Sequence, residues 1–264
     1  MATARTESTA VSSAGLPVFT DVPASFTLVR HAQSLANVAD ARARAEEADR
    51  LELDVRDADV DLSENGLAQA DALGRWFASL AADQRPTVVL SSPFRRALHT
   101  ATRTVAGTGV EVVVDERLRE RDLGLFDGLT GRGIRERYAD EAARRDRVGK
   151  FYYRPPHGES WAEVVLRVRS VLADLRTGYG DARIWVFSHQ AVIMSFRYVL
   201  EAIDEQGLLA LDRRLTLGNA SVTTYERRDQ VLELVRFAED VTADLGEATP
   251  TREPSVGDLG RSAG

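Results

Sequence analysis

Residues 25–37 read SFTLVRHAQSLAN. Ser25 to Val29 is a short β-prone run, and the chain changes character abruptly at Arg30-His31, where charged and polar side chains replace apolar ones. A buried strand that ends in a polar loop is the unit from which the rest of the chain can be read. Thr87 to Leu90 (TVVL) repeats it, followed by Ser91-Ser92-Pro93-Phe94-Arg95-Arg96, and Arg183 to Phe187 repeats it again, followed by Ser188-His189-Gln190. Val110 to Val114 and Ser221 to Tyr225 are further strand candidates, with Val231 to Phe237 as an edge strand. Between them lie helical patterns. Leu67, Ala70, Leu73, Phe77 and Leu80 share one face of a helix that Ser63 can cap. Trp161, Val164, Val165, Val168, Val171, Leu172 and Leu175 form a second stripe, introduced by Ser160 and Glu163 in capping-box spacing. Strand followed by helix, several times over, predicts an α/β fold: a three-layer sandwich with a mostly parallel central sheet and helices on both faces.

The 264 residues suit one large domain, expected over residues 23–243. Residues 1–22 and 244–264, rich in small residues, Thr and Pro, read as poorly ordered ends. The stretch from Ala41 to Asp59, dense in Arg, Glu and Asp, reads as a solvated insertion after the first strand, and insertions there often cover a site.

Composition excludes several classes of function. No cysteine is present, which removes disulfides, thiolate nucleophiles and cysteine metal sites. A net charge of −7 argues against nucleic acid or an anionic membrane as partner. No apolar run approaches the roughly 18 residues of a membrane span, and Met1 to Thr20 lacks a secretory pattern, so a cytoplasmic protein is expected. Walker, Gly-x-Gly-x-x-Gly, Gly-x-Ser-x-Gly and His-Glu-x-x-His motifs are missing, so neither a cofactor nor a metal is expected. The oligomeric state stays open, a homodimer being a common arrangement for soluble enzymes.

Open parallel sheets bind ligands beyond the carboxyl ends of their strands. Two of the four histidines, His31 and His189, fall at such ends, and Arg30 and Arg96 fall beside them. Neutral imidazole is a nucleophile, arginine forks bind phosphate oxygens, and Asn37 can donate to another oxygen. Together these describe a pocket for a small phosphorylated substrate. Ser92-Pro93 reads as the cap and first position of the helix carrying Arg96. Ser34 either contacts phosphate or caps the next helix. His99 is more simply structural, His157 a loop residue and Arg95 a solvent-facing neighbour.

These residues resemble the histidine phosphatase superfamily, the group that includes phosphoglycerate mutases and broad-specificity phosphatases, from the first strand to about Glu226. The resemblance rests on Leu28-Val29-Arg30-His31-Ala32-Gln33-Ser34 with Asn37, Leu62-Ser63-Glu64-Asn65-Gly66, Ser92 to Ala101, Leu118-Arg119-Glu120 with Gly124 and Gly128, Gly158-Glu159-Ser160, and Ser188-His189. Ala32 and Gln190 stand where glycine is usual. The resemblance implies a phosphoglycerate mutase-like fold and two-step, metal-independent chemistry: His31 attacks the phosphoryl group, and water then cleaves the phosphohistidine. It makes Arg30, Arg96, Asn37 and His189 the charge-neutralising groups and Glu120 the proton donor, with Ser34, Gln33, Arg121 and Gln190 as substrate contacts. Glu116 is the fallback acid. For Glu120 to serve, its pKa must exceed about 4.3. Burial raises it and nearby guanidinium groups lower it.

One rival is a mutase, suggested by Glu120-Arg121 with Gly124, although Arg144 to Pro156 matches the mutase pattern only in part. Another is a catalytically silent relative, against which all four of Arg30, His31, Arg96 and His189 are retained. Tyr152, Tyr153 and Arg154 either rim the site or pack beneath the proline turn.

Overall fold

A computed structural model describes residues 18–215, 217–243 and 248–252. Most of the two predicted end segments falls outside these residues. Four strands, β1 (Ser25–Arg30), β2 (Val88–Ser91), β3 (Val112–Val114) and β4 (Arg183–Ser188), run parallel. β5 (Val222–Arg228) pairs antiparallel with β1, and β6 (Val231–Glu239) antiparallel with β5. The sheet order is β3-β2-β4-β1-β5-β6, so β5 runs against the other five.

Side-chain alternation sorts the central strands into two faces. Phe26 and Leu28 of β1 and Ile184 and Val186 of β4 join one core cluster with helices α6 (Trp161–Asp174) and α7 (Gln190–Leu200). Val29, Trp185 and Phe187 join the other, with Leu73 and Phe77 of α2 (Glu64–Ser79) and Ala101 of α3 (Arg95–Thr104). This is the three-layer sandwich expected from the sequence. A leucine or phenylalanine buried this completely contributes about 1.5–3 kcal/mol of transfer free energy, which is why the central strands read as continuous apolar runs.

The helix caps follow the sequence signals. Ser63 accepts from Gly66 N at the start of α2, and Ser160 and Glu163 form the capping box of α6. Ser92 is a correction. α3 begins at Arg95 with Phe94 as its cap residue, while Ser92 Oγ accepts from Phe94 N and meets His189 Nε2. The hydroxyl is used across the sheet edge rather than in a helix cap.

Two segments read separately in the sequence join into one rim. After α1 (Leu35–Ala45) the insertion runs along residues 128–133: Leu51 N donates to Gly128 O at 2.9 Å and Thr130 N to Asp49 O at 3.0 Å. Gly133 allows the approach, since a Cβ there would lie 2.0 Å from Asp49 O. Beyond it, α4 (Gly131–Arg137), α5 (Ala139–Val148) and a small cluster of Phe126, Leu129, Ile134 and Tyr153 complete the outer wall.

Residues 248–252 return to the same end of the sheet. Asn65 and Gln69 donate to Thr249 O, and Thr251 Oγ1 donates to Asn219 Oδ1 at 2.9 Å.

Candidate active site

β1 ends at Arg30, and the loop that follows is fixed by backbone bonds. His31 N donates to Ser188 O at 2.9 Å, and Ala220 N donates to His31 O at 3.2 Å. Gly66 lets the first turn of α2 press on this loop, because a Cβ would sit 1.9 Å from Gln33 O. Ala32 takes the place of glycine without strain: its φ is not positive, its methyl is buried in the α2/α3 core, and its N donates to Thr100 Oγ1 at 3.0 Å.

His31 Nδ1 lies 2.8 Å from Ala32 O, which holds the proton on Nδ1 and leaves Nε2 with its lone pair. Burial, reinforced by the Arg96 and Arg30 guanidinium groups, holds its pKa well below the ordinary histidine value. The imidazole is neutral at neutral pH, the form a nucleophile needs. His189 sits with its ring centroid 5.1 Å from that of His31 and is held neutral in the same way, by burial first and then by Arg96.

His31 borders a cavity of about 360 Å³, whose wall also includes Arg30, Ser34, Asn37, Arg96, Glu120, Arg121 and Gln190. Arg30 donates Nη1 to Leu217 O. Ser34 caps α1 in a capping box with Asn37 and also borders the cavity. Asn37 Oδ1 accepts from Ser34 N at 2.8 Å and from Asn219 Nδ2 at 3.1 Å, leaving Nδ2 as its donor toward the cavity.

Glu120 follows a 3-10 turn, Glu116–Leu118, and Glu120 Oε1 accepts from Arg121 N at 2.8 Å. Burial raises its pKa against the opposing pull of Arg121 N and Arg96, so burial decides the balance that the sequence left open. Glu116 is exposed and outside the cavity wall. Arg121 is half-buried, its Nε donates to Glu159 O, and its guanidinium lies 5.9 Å from the Trp161 ring centroid. Desolvation lowers its pKa to about 10, which still leaves it charged.

Two predicted contacts are placed otherwise. Gln33 turns away from the cavity: its Oε1 accepts from Ser63 Oγ at 2.7 Å, tying the loop to α2. His189 lies beneath the cavity surface, with Nε2 2.8 Å from Ser92 Oγ and the Phe94 ring edge-on at 5.3 Å. Ser92 thus occupies Nε2, while Nδ1 is buried with no hydrogen-bond partner among the described residues and is the ring atom left for a phosphoryl oxygen.

Tyr153 packs into the outer wall with its hydroxyl on Glu141, and Tyr152 is exposed; neither borders the cavity. His99 is exposed beside Asp61, as Arg95 is, and His157 is an exposed loop residue.

Asn219 and Asp57 carried no signal in the sequence reading. Asn219 precedes β5, and because β5 runs opposite to its neighbours, its start lies at the edge where the other strands end. Asp57 reaches Arg96 across 39 residues of sequence, a pairing no local pattern encodes.

Residues 26–240 match the profile of the histidine phosphatase superfamily (branch 1). The chain belongs to that superfamily. Phosphoserine phosphatase 1 of Hydrogenobacter thermophilus is 28% identical over 200 residues, covering 72% of this chain and 84% of that protein. The 2,3-bisphosphoglycerate-dependent phosphoglycerate mutase of Methylorubrum extorquens is 28% identical over 162 residues, 58% of this chain and 74% of that protein. Among solved structures, mycobacterial glucosyl-3-phosphoglycerate phosphatase superposes with a TM-score of 0.64 at 27% identity, covering 81% of this chain and 98% of that one. Membership places the chain among phosphohydrolase enzymes of the phosphoglycerate mutase-like fold, with a mutase among its relatives. Among the described residues no helix is long and apolar enough to cross a membrane.

Proposed function

We propose that the protein hydrolyses a small phosphomonoester through a phosphohistidine on His31, without a metal. The observation that carries this reading is the neutral, buried imidazole of His31 in one cavity with two phosphate-binding arginines, Arg30 and Arg96, and a carboxyl group of raised pKa, Glu120. His31 Nε2 attacks phosphorus in line, and the bond from phosphorus to the leaving oxygen breaks. Glu120, carrying its proton, delivers it to that oxygen. Ionised, it then takes a proton from the water that attacks the phosphohistidine, releasing orthophosphate and restoring both residues. Arg30, Arg96 and Asn37 stabilise the charge on the equatorial oxygens, a contribution of positioning and electrostatics. His189 joins them through Nδ1, which has no partner among the described residues, while Nε2 stays on Ser92.

Hydrolysis is favoured over mutase action by the outer cavity. A mutase must hold a second strongly anionic group, whereas Asp40, Asp57, Asp122, Asp127 and Asp212 border this cavity and Arg119 is paired with Glu159 at 2.6 Å. Arg121 and Gln190 are left to hold the leaving group. The cavity volume is of the size that takes a small metabolite.

The test is orthophosphate release from p-nitrophenyl phosphate, phosphoserine, sugar phosphates and phosphoglycerates in excess EDTA, for the native chain and His31→Ala. EDTA-resistant release that falls by about 10³-fold or more in the variant is expected. Native-level release by His31→Ala overturns the mechanism. Primer-dependent phosphoglycerate interconversion faster than release favours the mutase.

A further inference from the structure

The residue that stands out against the proposed chemistry is Asp57. Arg96, whose side chain is only 6% exposed, donates Nη1 to Asp57 Oδ1 at 2.9 Å and Nη2 to Asp57 Oδ2 at 3.1 Å, and Nη1 also donates to the Asp57 carbonyl at 2.6 Å. A guanidinium fork presents the same paired donors to a carboxylate and to a phosphoryl group, so the two anions compete for one pair of nitrogens. We propose that Asp57 is a built-in competitor for the phosphate site: its carboxylate fills the Arg96 fork between turnovers, yields it to the incoming phosphoryl group, and reclaims it as orthophosphate leaves. The inference rests on Arg96 being a phosphate ligand.

The geometry separates the positioning of Arg96 from the occupation of its fork. The Asp57 carbonyl, together with the Phe94 ring 5.1 Å from the guanidinium, holds Arg96 in place without help from the carboxylate. What the carboxylate adds is negative charge where a phosphoryl oxygen must sit.

Asp57 is also the partner able to withdraw. Its side chain is 35% exposed against 6% for Arg96, so rotation carries it toward water while the arginine stays. The segment around it need not move, because Asp61 holds its far end to α3 through Arg95 at 2.9 Å and His99 at 3.2 Å. The exchange conserves hydrogen bonds: two from Arg96 to carboxylate break and two from Arg96 to phosphate form. Leaving both anions in contact would place like charges side by side, which is costly in a site this buried. The carboxylate also raises the pKa of Glu120, so filling the fork between turnovers favours retention of the acid's proton.

Orthophosphate and orthovanadate binding, measured by calorimetry, tests this without relying on turnover. Asp57→Asn keeps the backbone carbonyl and the shape while removing the charge, and Asp57→Ala removes the competing group altogether. Both are expected to bind orthophosphate at least about tenfold more tightly than the native chain. Asp61→Asn, on the same segment, should leave the affinity unchanged, and adding Arg96→Ala to Asp57→Asn should abolish the gain. In steady state, Asp57→Asn should show lower KM and stronger inhibition by product phosphate. Unchanged or weaker phosphate binding in both Asp57 variants, with native binding still dependent on Arg96, overturns this inference alone and leaves Asp57 a structural clamp. Phosphate binding that is indifferent to Arg96 in every variant overturns the phosphate-site reading as well.

Discussion

The floor of the cavity and its rim are built by different means. The floor is backbone-fixed: Arg30 ends β1 and His31 follows it, Ser92 follows β2 and His189 follows β4, and each is 5% exposed or less. The rim, from residues 46–61 and 119–133, is held by ion pairs and loop hydrogen bonds such as Arg96 to Asp57, Arg119 to Glu159 and Leu51 to Gly128. Burial tunes the floor toward chemistry, with both imidazoles kept neutral and Glu120 above it kept inclined to hold its proton. Most of the rim stays partly open to water, where exposed ion pairs contribute about 0–1 kcal/mol each, while Arg96, 6% exposed, reaches it from the buried side. Substitutions in the floor should therefore alter kcat, and substitutions in the rim should mainly alter which substrate fits.

The contrast is sharpest at Glu120, where the two regions meet. Glu120→Gln should lower kcat/KM by about 10²- to 10⁴-fold on an alkyl phosphate, and much less on p-nitrophenyl phosphate, whose leaving group scarcely needs a proton. Equal loss on both would make Glu120 a binding group instead. The same variant should be more stable at neutral pH. A carboxyl whose folded pKa lies above its unfolded value binds more protons when folded, so stability falls as pH rises through that window. An amide removes this cost, and thermal melting of the two proteins at pH 7 would show it.

Next in size is the pH dependence of the floor. His31 and His189 resist protonation in the folded protein, while in the unfolded chain they titrate near about 6.5. Below that pH the unfolded chain binds more protons, so stability decreases on acidification toward the lower folded values. His189→Gln keeps a side chain able to reach Ser92 and should flatten the decline, as measured by urea unfolding at pH 7.5 and 5.5. An identical decline in the variant would remove His189 from this account.

The smallest effect belongs to the rim. Leu51→Ala, at the cavity wall, should shift KM within about fivefold and leave kcat and the melting temperature nearly unchanged. A large fall in kcat would mean that the insertion does more than border the site.

The same division explains what could be read from the amino-acid order. Strand ends and capped helices are local patterns, and Val29-Arg30-His31, Ser188-His189 and the Ser160 and Glu163 box all express them. The three-layer architecture follows from their alternation. The placement of Gln33 and Ser92 was not legible, since each side chain satisfies a partner from a distant element, Ser63 for one and His189 for the other. Asn219 lies outside the pattern of strand carboxyl ends, because β5 brings its amino end to that edge. Asp57 pairs with Arg96 through space alone. Long-range polar pairing is where periodicity carries no information.

The covalent step is open to direct observation by brief reaction with a phosphorus-labelled substrate, quenched in alkali and mapped by peptide. An acid-labile, alkali-stable label is expected on the peptide containing His31, absent in His31→Ala and accumulating in Glu120→Gln when the leaving group is p-nitrophenolate. Turnover at the native rate with no label under any quench, or a label that persists in His31→Ala, would contradict the covalent step.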